Sequence, residues 1–151
     1  MLSQTAEYAL RTVLYLAEHS GDQPVRATQL AQALKVPRNY LSKTLHLLAR
    51  EGILASSRGK TGGFRLARPP EDITVLDVIG PFDRIEQRRE CLLGRPTCSD
   101  ATPCAAHARW KDVSAQLSAF FRDTTIGDLI GTGRVSSGRA VASSGQPTRP
   151  R

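Results

Sequence analysis

Three thiols and one imidazole stand close together in this chain. All three cysteines fall in the stretch Cys91-Leu-Leu-Gly-Arg-Pro-Thr-Cys98-Ser-Asp-Ala-Thr-Pro-Cys104, and His107 follows with two residues between. Thiolates are the ligands that hold iron–sulfur clusters. Three sulfurs and an imidazole would equally satisfy a tetrahedral zinc ion. Cys104 and His107, three apart, share one face if a helix covers them. At a helix start, unpaired N–H groups and the helix dipole favour a thiolate. An iron–sulfur cluster, a zinc site, metal-free redox thiols and the absence of any shared site are all open on these residues. A Cys104–His107 nucleophilic dyad is conceivable. The sequence offers neither a separate glycine-rich oxyanion loop nor a substrate domain beside it, so a thiol enzyme is a remote alternative and the expectation is a non-enzyme.

The odd cysteine count argues against a secreted disulfide framework. No apolar run approaches a membrane span, and Met1-Leu-Ser-Gln-Thr-Ala-Glu7 has neither the basic start nor the apolar block of a signal peptide. A reducing, cytoplasmic setting without a membrane follows as the expectation. The net charge of +7 is unevenly spread. Through residue 70 there are ten Lys/Arg against four acids, from 71 to 133 seven against ten, and the tail from Arg134 has four arginines and no acid. A basic first half points to a polyanion partner.

The elements that must carry these residues can be read from periodicity. Ala6, Ala9, Leu10, Val13, Leu14 and Ala17 recur at helical steps over residues 3–19, with Ser3 as cap. A short helix over 28–34 turns inward on Leu30, Ala31 and Leu34. Lys35-Val-Pro37 connects it to a helix over 38–50 with Leu41, Thr44, Leu45 and Leu48 inside. The opposite face of that helix is cationic and amide-bearing, the pattern of a helix-turn-helix. Ile53–Arg58 and Phe64–Ala67 read as two strands around Gly59-Lys-Thr-Gly-Gly63. A hairpin directly after a recognition-type helix is a wing. Its glycine tip leads into a strand rather than a helix, so it is not a phosphate-binding loop. The expected DNA contacts are Thr28, Arg38, Asn39, Tyr40, Ser42, Lys43 and His46, with Arg58 and Lys60 on the wing. The cations would position the duplex through phosphates, and Asn39 or Ser42 could touch base edges.

Thr74-Val-Leu-Asp77 fits a capping box for a short helix ending before Pro81. Residues 82–102 lack sustained periodicity. Thr102 and Pro103 fit the cap and first residue of a second long helix. On it Trp110, Val113, Leu117, Phe120 and Phe121 form an apolar seam with no partner helix in the second half of the chain, which predicts packing against a second copy. Thr125-Ile-Gly-Asp128 repeats the capping pattern. Beyond Gly133 the composition cannot offset ordering entropy, which predicts a disordered basic tail.

Glu7-Tyr-Ala-Leu-Arg11, Asn39-Tyr-Leu-Ser-Lys43, Leu48-Ala-Arg-Glu-Gly-Ile-Leu54, the wing Ser57-Arg-Gly-Lys-Thr-Gly-Gly-Phe64 and the cysteine loop ahead of a long helix together resemble the Rrf-type winged-helix transcription regulators over about residues 1–130. The resemblance implies a homodimeric regulator, read as a repressor, on a palindromic double-stranded DNA operator. In cluster-binding members three cysteines of the loop hold an iron–sulfur cluster. It implies that Cys91, Cys98 and Cys104 hold a 2Fe–2S or 4Fe–4S cluster here and that the protein senses redox state, nitric oxide or cluster status. The fourth ligand varies in the family, and this chain carries both versions: His107 after the third cysteine, and Glu7 of the first helix, reaching from the other subunit. The best-known members have five residues between the first two cysteines, and this chain has six. A cluster-free regulator switched by thiol oxidation or a partner protein is the alternative.

The fold class expected is thus mainly α: three helices plus a β-hairpin wing, with a long C-terminal dimerisation helix. The winged domain spans 1–80, a sensor loop 81–103, the dimerisation helix and a short final helix 104–131, and the tail 132–151.

Overall fold

The computed structural model describes residues 2–21, 23–83, 91–96 and 99–131. Cys98, part of the sensor loop and the tail from residue 132 lie outside the described residues.

Helix α1 runs Gln4–His19, and Ser3 caps it by accepting the Ala6 N–H at 3.2 Å. Ala6, Ala9, Val13 and Leu16, at helical spacing, are buried. Helix α2, Ala27–Leu34, buries Leu30, Ala31 and Leu34. It stops because Lys35 turns left-handed at φ 55°, while the Val36 N–H reaches back to Ala31 O at 3.0 Å. Val36 is itself buried, which anchors this end. Helix α3, Arg38–Arg50, begins where Pro37 O accepts the N–H groups of Tyr40 and Leu41. Its buried stripe is Leu41, Thr44, Leu45 and Leu48, the set read from the sequence.

Strands β1, Leu54–Ser57, and β2, Gly63–Leu66, pair antiparallel with Leu54 opposite Leu66 and Ser57 opposite Gly63. Ile53 O accepts the Ala67 N–H at 3.0 Å, one step beyond the regular ladder. Val25, before α2, bonds to Phe64 in both directions at 2.8 Å. The far edge of β2 is therefore tied to the start of the helix-turn-helix. One core joins α1, α2, α3 and the wing through Val13, Leu16, Leu30, Leu41, Leu45, Leu48, Ile53, Leu54 and Phe64.

A short 3-10 turn, Pro70–Asp72, leads to α4, Val75–Ile79. The expected capping box is present: Thr74 Oγ1 accepts the Asp77 N–H at 3.0 Å, and Asp77 Oδ2 accepts the Thr74 N–H at 3.1 Å. Helix α5 is His107–Asp123, and α6 is Ile126–Gly131 with the matching Thr125–Asp128 box. The two boxes sit side by side, because Thr74 and Thr125 form an antiparallel bridge. Val75 N–H bonds to Thr124 O at 2.9 Å and Ile126 N–H to Ile73 O at 2.8 Å. Around this seam Ala6, Val75, Ile79 and Phe121 make a second core, with Leu117 and Leu129 packed against it.

Two expectations need correction. Thr102 does not cap α5, and Pro103 is not its first residue. The N-cap is Ala106, and Cys104 precedes the helix. Thr102 is used within the loop instead: its N–H and hydroxyl meet Ser99 Oγ at 3.3 and 3.1 Å. The apolar seam of α5 is also divided. Phe121 is buried and Leu117 half-buried on the chain's own winged domain, whereas Val113 and Phe120 remain 54% and 50% exposed.

Gly63 has room for hydrogen only, since a Cβ there would meet Val25 O at 2.5 Å. Gly63→Ala should destabilise the protein by about 1–3 kcal/mol by breaking the Val25–Phe64 bridge. Gly131→Ala, with nothing within 4 Å, should stay within about 0.5 kcal/mol; equal urea midpoints for the two would refute this account. The Asp128 carboxyl is held below the usual carboxylate range, first by the Thr125 backbone N–H and then by its hydroxyl. A depressed folded-state pKa gives stability that is present above the unfolded value of about 3.9 and is lost as pH falls through the folded one. Asp128→Asn should therefore be less stable than the native chain at pH 7, and melting curves should converge in acid.

Candidate functional site

Two groups of residues could do chemistry or bind a partner: the outer face of α2, α3 and the wing, and the cysteine loop at the start of α5.

On the first, Arg38, Asn39 and Lys43 are exposed, and among the described residues no hydrogen bond or ion pair holds the side chain of any of the three. Thr28 is exposed in the first turn of α2. The other helix candidates are engaged within the fold. Tyr40 shares a short hydroxyl–hydroxyl hydrogen bond with Thr5, and its ring stands perpendicular to Tyr8 at 5.7 Å. Ser42 Oγ donates to Arg38 O at 3.0 Å. His46 packs edge-on against Phe64 at 6.0 Å, joining α3 to the wing. Arg58 and Lys60 are exposed at the wing tip. The Lys60 carbonyl accepts a hydrogen bond from the Arg26 guanidinium, and the Arg26 N–H donates to Gln29 Oε1 at 3.1 Å. Arg26 thus props the wing tip from the start of α2. Sequence reasoning missed it, because the only local signal was a cation just before α2.

At the second site the structure brings Cys91 and Cys104 together. Their sulfurs lie 3.7 Å apart, Cys91 buried and Cys104 half-buried. Cys91-Leu-Leu-Gly94 is a tight turn: the Gly94 N–H meets Cys91 O at 2.8 Å, with Gly94 at φ 72°, a conformation that glycine adopts freely. The turn aims the N–H groups of Arg95 and Leu93 at the Cys91 sulfur. These hold the thiol below its ordinary pKa, against burial and with help from the Cys104 thiol and the Arg95 charge. Cys104 and His107 are linked as expected by neighbours three apart, through His107 N–H to Cys104 O at 3.0 Å. The link is a turn leading into α5 rather than a turn of the helix.

His107 is buried, and its Nε2 lies 2.9 Å from Asp100 Oδ1. Lys111 Nζ meets both Asp100 oxygens at 2.9 Å. The Lys111 ammonium, then His107, hold the Asp100 carboxyl down at about 2. Sequence reasoning missed Asp100 and Lys111; the i,i+4 spacing of His107 and Lys111 was the available signal. Glu7 is exposed on the first turn of α1 and lies 4.0 Å from Arg11. Among the described residues no three of His, Cys, Asp and Glu gather in one metal-binding group. Cys98, the third expected thiolate, lies outside them. Among the described residues no helix is long and apolar enough to cross a membrane.

Residues 2–132 match the model of the Rrf2 family, described as an iron-dependent transcriptional regulator. An HTH-type transcriptional regulator of Aquifex aeolicus is 38% identical over 132 residues, covering 86% of this chain and 91% of that one. The transcriptional regulator IscR of Vibrio atlanticus is 33% identical over 129 residues, covering 85% and 74%. Among solved structures, CymR, the global cysteine regulator of B. subtilis, aligns with a TM-score of 0.73 at 23% identity, covering 87% of this chain and 97% of that one. T. potens IscR aligns with a TM-score of 0.70 at 22% identity, covering 93% of each. Both structures share the winged-helix fold.

Lys43→Ala should weaken DNA binding across sequences and flatten the dependence of log affinity on log salt by about one unit. Tyr40→Phe should cost stability, through the lost Thr5 partner, and leave that salt slope alone. Titrations at several salt concentrations check both; an unchanged slope for Lys43→Ala would remove it from the phosphate-contacting set.

Proposed function

The chain belongs to the Rrf2 family of transcriptional regulators, and from that premise we propose that it is a DNA-binding repressor whose affinity is set by an iron–sulfur cluster at the cysteine loop. It is a regulator rather than an enzyme, as its relatives are. Arg38, Asn39 and Lys43 on α3, Thr28 on α2, and Arg58 and Lys60 on the wing are the proposed contacts to a palindromic operator. Val113 and Phe120, the exposed part of the α5 seam, are proposed to meet a second copy of the chain. A two-fold dimer would then present two copies of α3 to half-sites about one helical turn apart.

The observation that carries the cluster reading is the Cys91–Cys104 sulfur separation of 3.7 Å. Two thiolates on one tetrahedral metal, with metal–sulfur bonds of about 2.3 Å, stand about 3.8 Å apart. The Leu93 and Arg95 N–H groups also favour a thiolate at Cys91, and among the described residues no third His, Cys, Asp or Glu joins the two sulfurs in one group. Amide hydrogen bonds to sulfur are a means of tuning cluster potentials. Cys91, Cys98 and Cys104 would hold the group, with His107 or a partner's Glu7 completing it. When bound, the cluster supplies a centre that responds to oxidants and nitric oxide. The chain's own residues transmit the state of the loop: Cys104 is bonded through its carbonyl to the first residue of α5, and α5 packs at its far end on α4. A coupling of roughly 1–3 kcal/mol would change DNA affinity about 5- to 150-fold.

The same separation favours a second reading, a thiol switch. Oxidation by hydrogen peroxide would join the two sulfurs, transferring two electrons and two protons to give a disulfide and two waters.

Purification without oxygen separates the readings. The cluster reading expects a coloured protein with iron and sulfide, Cys91→Ala, Cys98→Ala and Cys104→Ala proteins without visible absorption, and altered DNA mobility shifts after air or nitric oxide. A colourless protein with stoichiometric zinc would overturn it. A colourless, metal-free protein whose DNA binding responds to peroxide would replace it with the thiol switch.

A further inference from the structure

We propose that Arg26 is a positioning residue of the DNA interface: from the start of α2 it fixes the wing tip, so that Arg58 and Lys60 reach the phosphate backbone in register with α3. This deepens the DNA-binding reading of the wing and rests on it.

The wing tip begins where the strand ladder stops. Ser57 and Gly63 are the last paired residues of β1 and β2, and residues 58–62 lie beyond them. Two of these are glycines. Gly59 sits at φ 99°, and Gly62 has no space for a Cβ, which would run into the Ser57 carbonyl. Glycine gives such a tip a backbone freedom that other residues lack, and a two-stranded hairpin holds itself only weakly. The hairpin's own bonds here are the Gly62 N–H to Gly59 O at 3.0 Å and the Gly63 N–H to Ser57 Oγ at 3.3 Å. Among the described residues, one hydrogen bond joins residues 58–62 to an element outside the hairpin: the Arg26 guanidinium donates to the Lys60 carbonyl.

The backbone sets the place of Arg26 independently of that bond. Its neighbour Val25 bonds to Phe64 in both directions at 2.8 Å. A Cβ at Gly63 would stand 3.0 Å from the Arg26 nitrogen, so the two segments touch there. Gln29 Oε1 accepts the Arg26 N–H at 3.1 Å, which holds the residue on α2. Yet arginine is poorly suited to precede a helix. That position favours a short side chain that accepts an N–H, and a cation there opposes the positive end of the helix dipole. Arg26 is exposed as well, so it adds little to the core. What it supplies is a donor long enough to reach the wing. The charge pattern agrees. Arg26, Arg58 and Lys60 are all exposed, and among the described residues none of them is in an ion pair. Like charges on the tip and on its prop repel one another, and a polyanion relieves that repulsion. A tip fixed beforehand also loses less conformational freedom when DNA binds.

The test uses the full-length chain and a fluorescein-labelled DNA duplex of mixed sequence, titrated at several salt concentrations. Arg26→Ala and Arg26→Met both remove the donor, so that a misfolded variant leaves the other to be read; Arg26→Lys keeps a donor. Each is made in the native chain and in the Arg58→Ala/Lys60→Ala chain. Urea midpoints and the amide order parameters of Lys60 and Thr61 are measured without DNA. Arg26→Ala and Arg26→Met should keep the native midpoint, loosen the Lys60 and Thr61 amides and bind DNA roughly 3- to 10-fold more weakly, with Arg26→Lys closer to native. In the Arg58→Ala/Lys60→Ala chain the same substitutions should change affinity less than about two-fold and leave the salt slope alone, because an effect exerted through the wing cations does not add to their removal. If each instead weakens binding in both chains and flattens the salt slope by about one unit, Arg26 is itself a phosphate contact and the positioning role is overturned. Native affinity in the donor-free variants, or a lower urea midpoint with unchanged affinity per folded chain, overturns it too, while the wing reading stands. If the Arg58→Ala/Lys60→Ala chain binds DNA as the native chain does, the wing reading fails and this proposal with it.

Discussion

The short antiparallel bridge between Ile73–Val75 and Thr124–Ile126 is the contact on which the rest of the arrangement depends. Its two backbone hydrogen bonds, at 2.8 and 2.9 Å, join segments on opposite sides of the cysteine loop. Ile73, Val75 and Ile126 are essentially fully buried at it, and each such side chain contributes about 1.5–3 kcal/mol. Both flanking helices, α4 and α6, start there from the same Thr-x-x-Asp device. The bridge fixes the far end of α5 on the winged domain. That helix has 17 residues, about 25 Å at roughly 1.5 Å per residue. Its other end carries His107 and begins three residues after Cys104.

The basic face shows a division of labour that composition alone conceals. The inner stripe of α3 seats the helix in the core, and two of its outward residues then brace it. Tyr40 holds α3 to α1 through Thr5 and Tyr8, and His46 holds it to the wing through Phe64. Arg26 braces the wing tip from below. Arg38, Asn39 and Lys43 project from this braced surface without internal partners among the described residues. The braced helix holds their backbone in place, so the ordering entropy lost on binding is confined to the side chains.

The cysteine loop follows a similar logic with softer chemistry. A glycine turn folds the chain so that two N–H groups face the Cys91 sulfur, and the Ser99–Thr102 turn sends the chain back to α5. Cys91 and Cys104, which are 13 residues apart in sequence, end with their sulfurs 3.7 Å apart. Asp100 and Lys111 hold the loop's return against the helix. Here polar contacts rather than a large apolar core maintain the geometry.

Much of this architecture was legible in the sequence because it is set locally. The stripes of α1 and α3, the Ser3 cap, both Thr-x-x-Asp boxes and the hairpin after α3 depend on residues within four positions of one another or on glycine and proline. The concentration of cysteines and of positive charge was equally plain. What the sequence left open, or led astray, depends on contacts between distant segments. Thr102 has the chemistry of a helix cap, but Ser99 captured its N–H and hydroxyl, so α5 begins later. The apolar seam of α5 was visible, but only packing decided that Leu117 and Phe121 turn to the chain's own core while Val113 and Phe120 do not. Tyr40 and His46 stand among the expected DNA contacts, and only the fold shows that they also touch Thr5, Tyr8 and Phe64 and so brace α3. Arg26 gains its role from a strand pairing that no local pattern announces. The residue types set what chemistry the loop can support; the meeting of Cys91 with Cys104, and of Asp100 with His107 and Lys111, was decided by the tertiary structure, because hydrogen-bond partners several turns apart are chosen by how the chain folds back on itself.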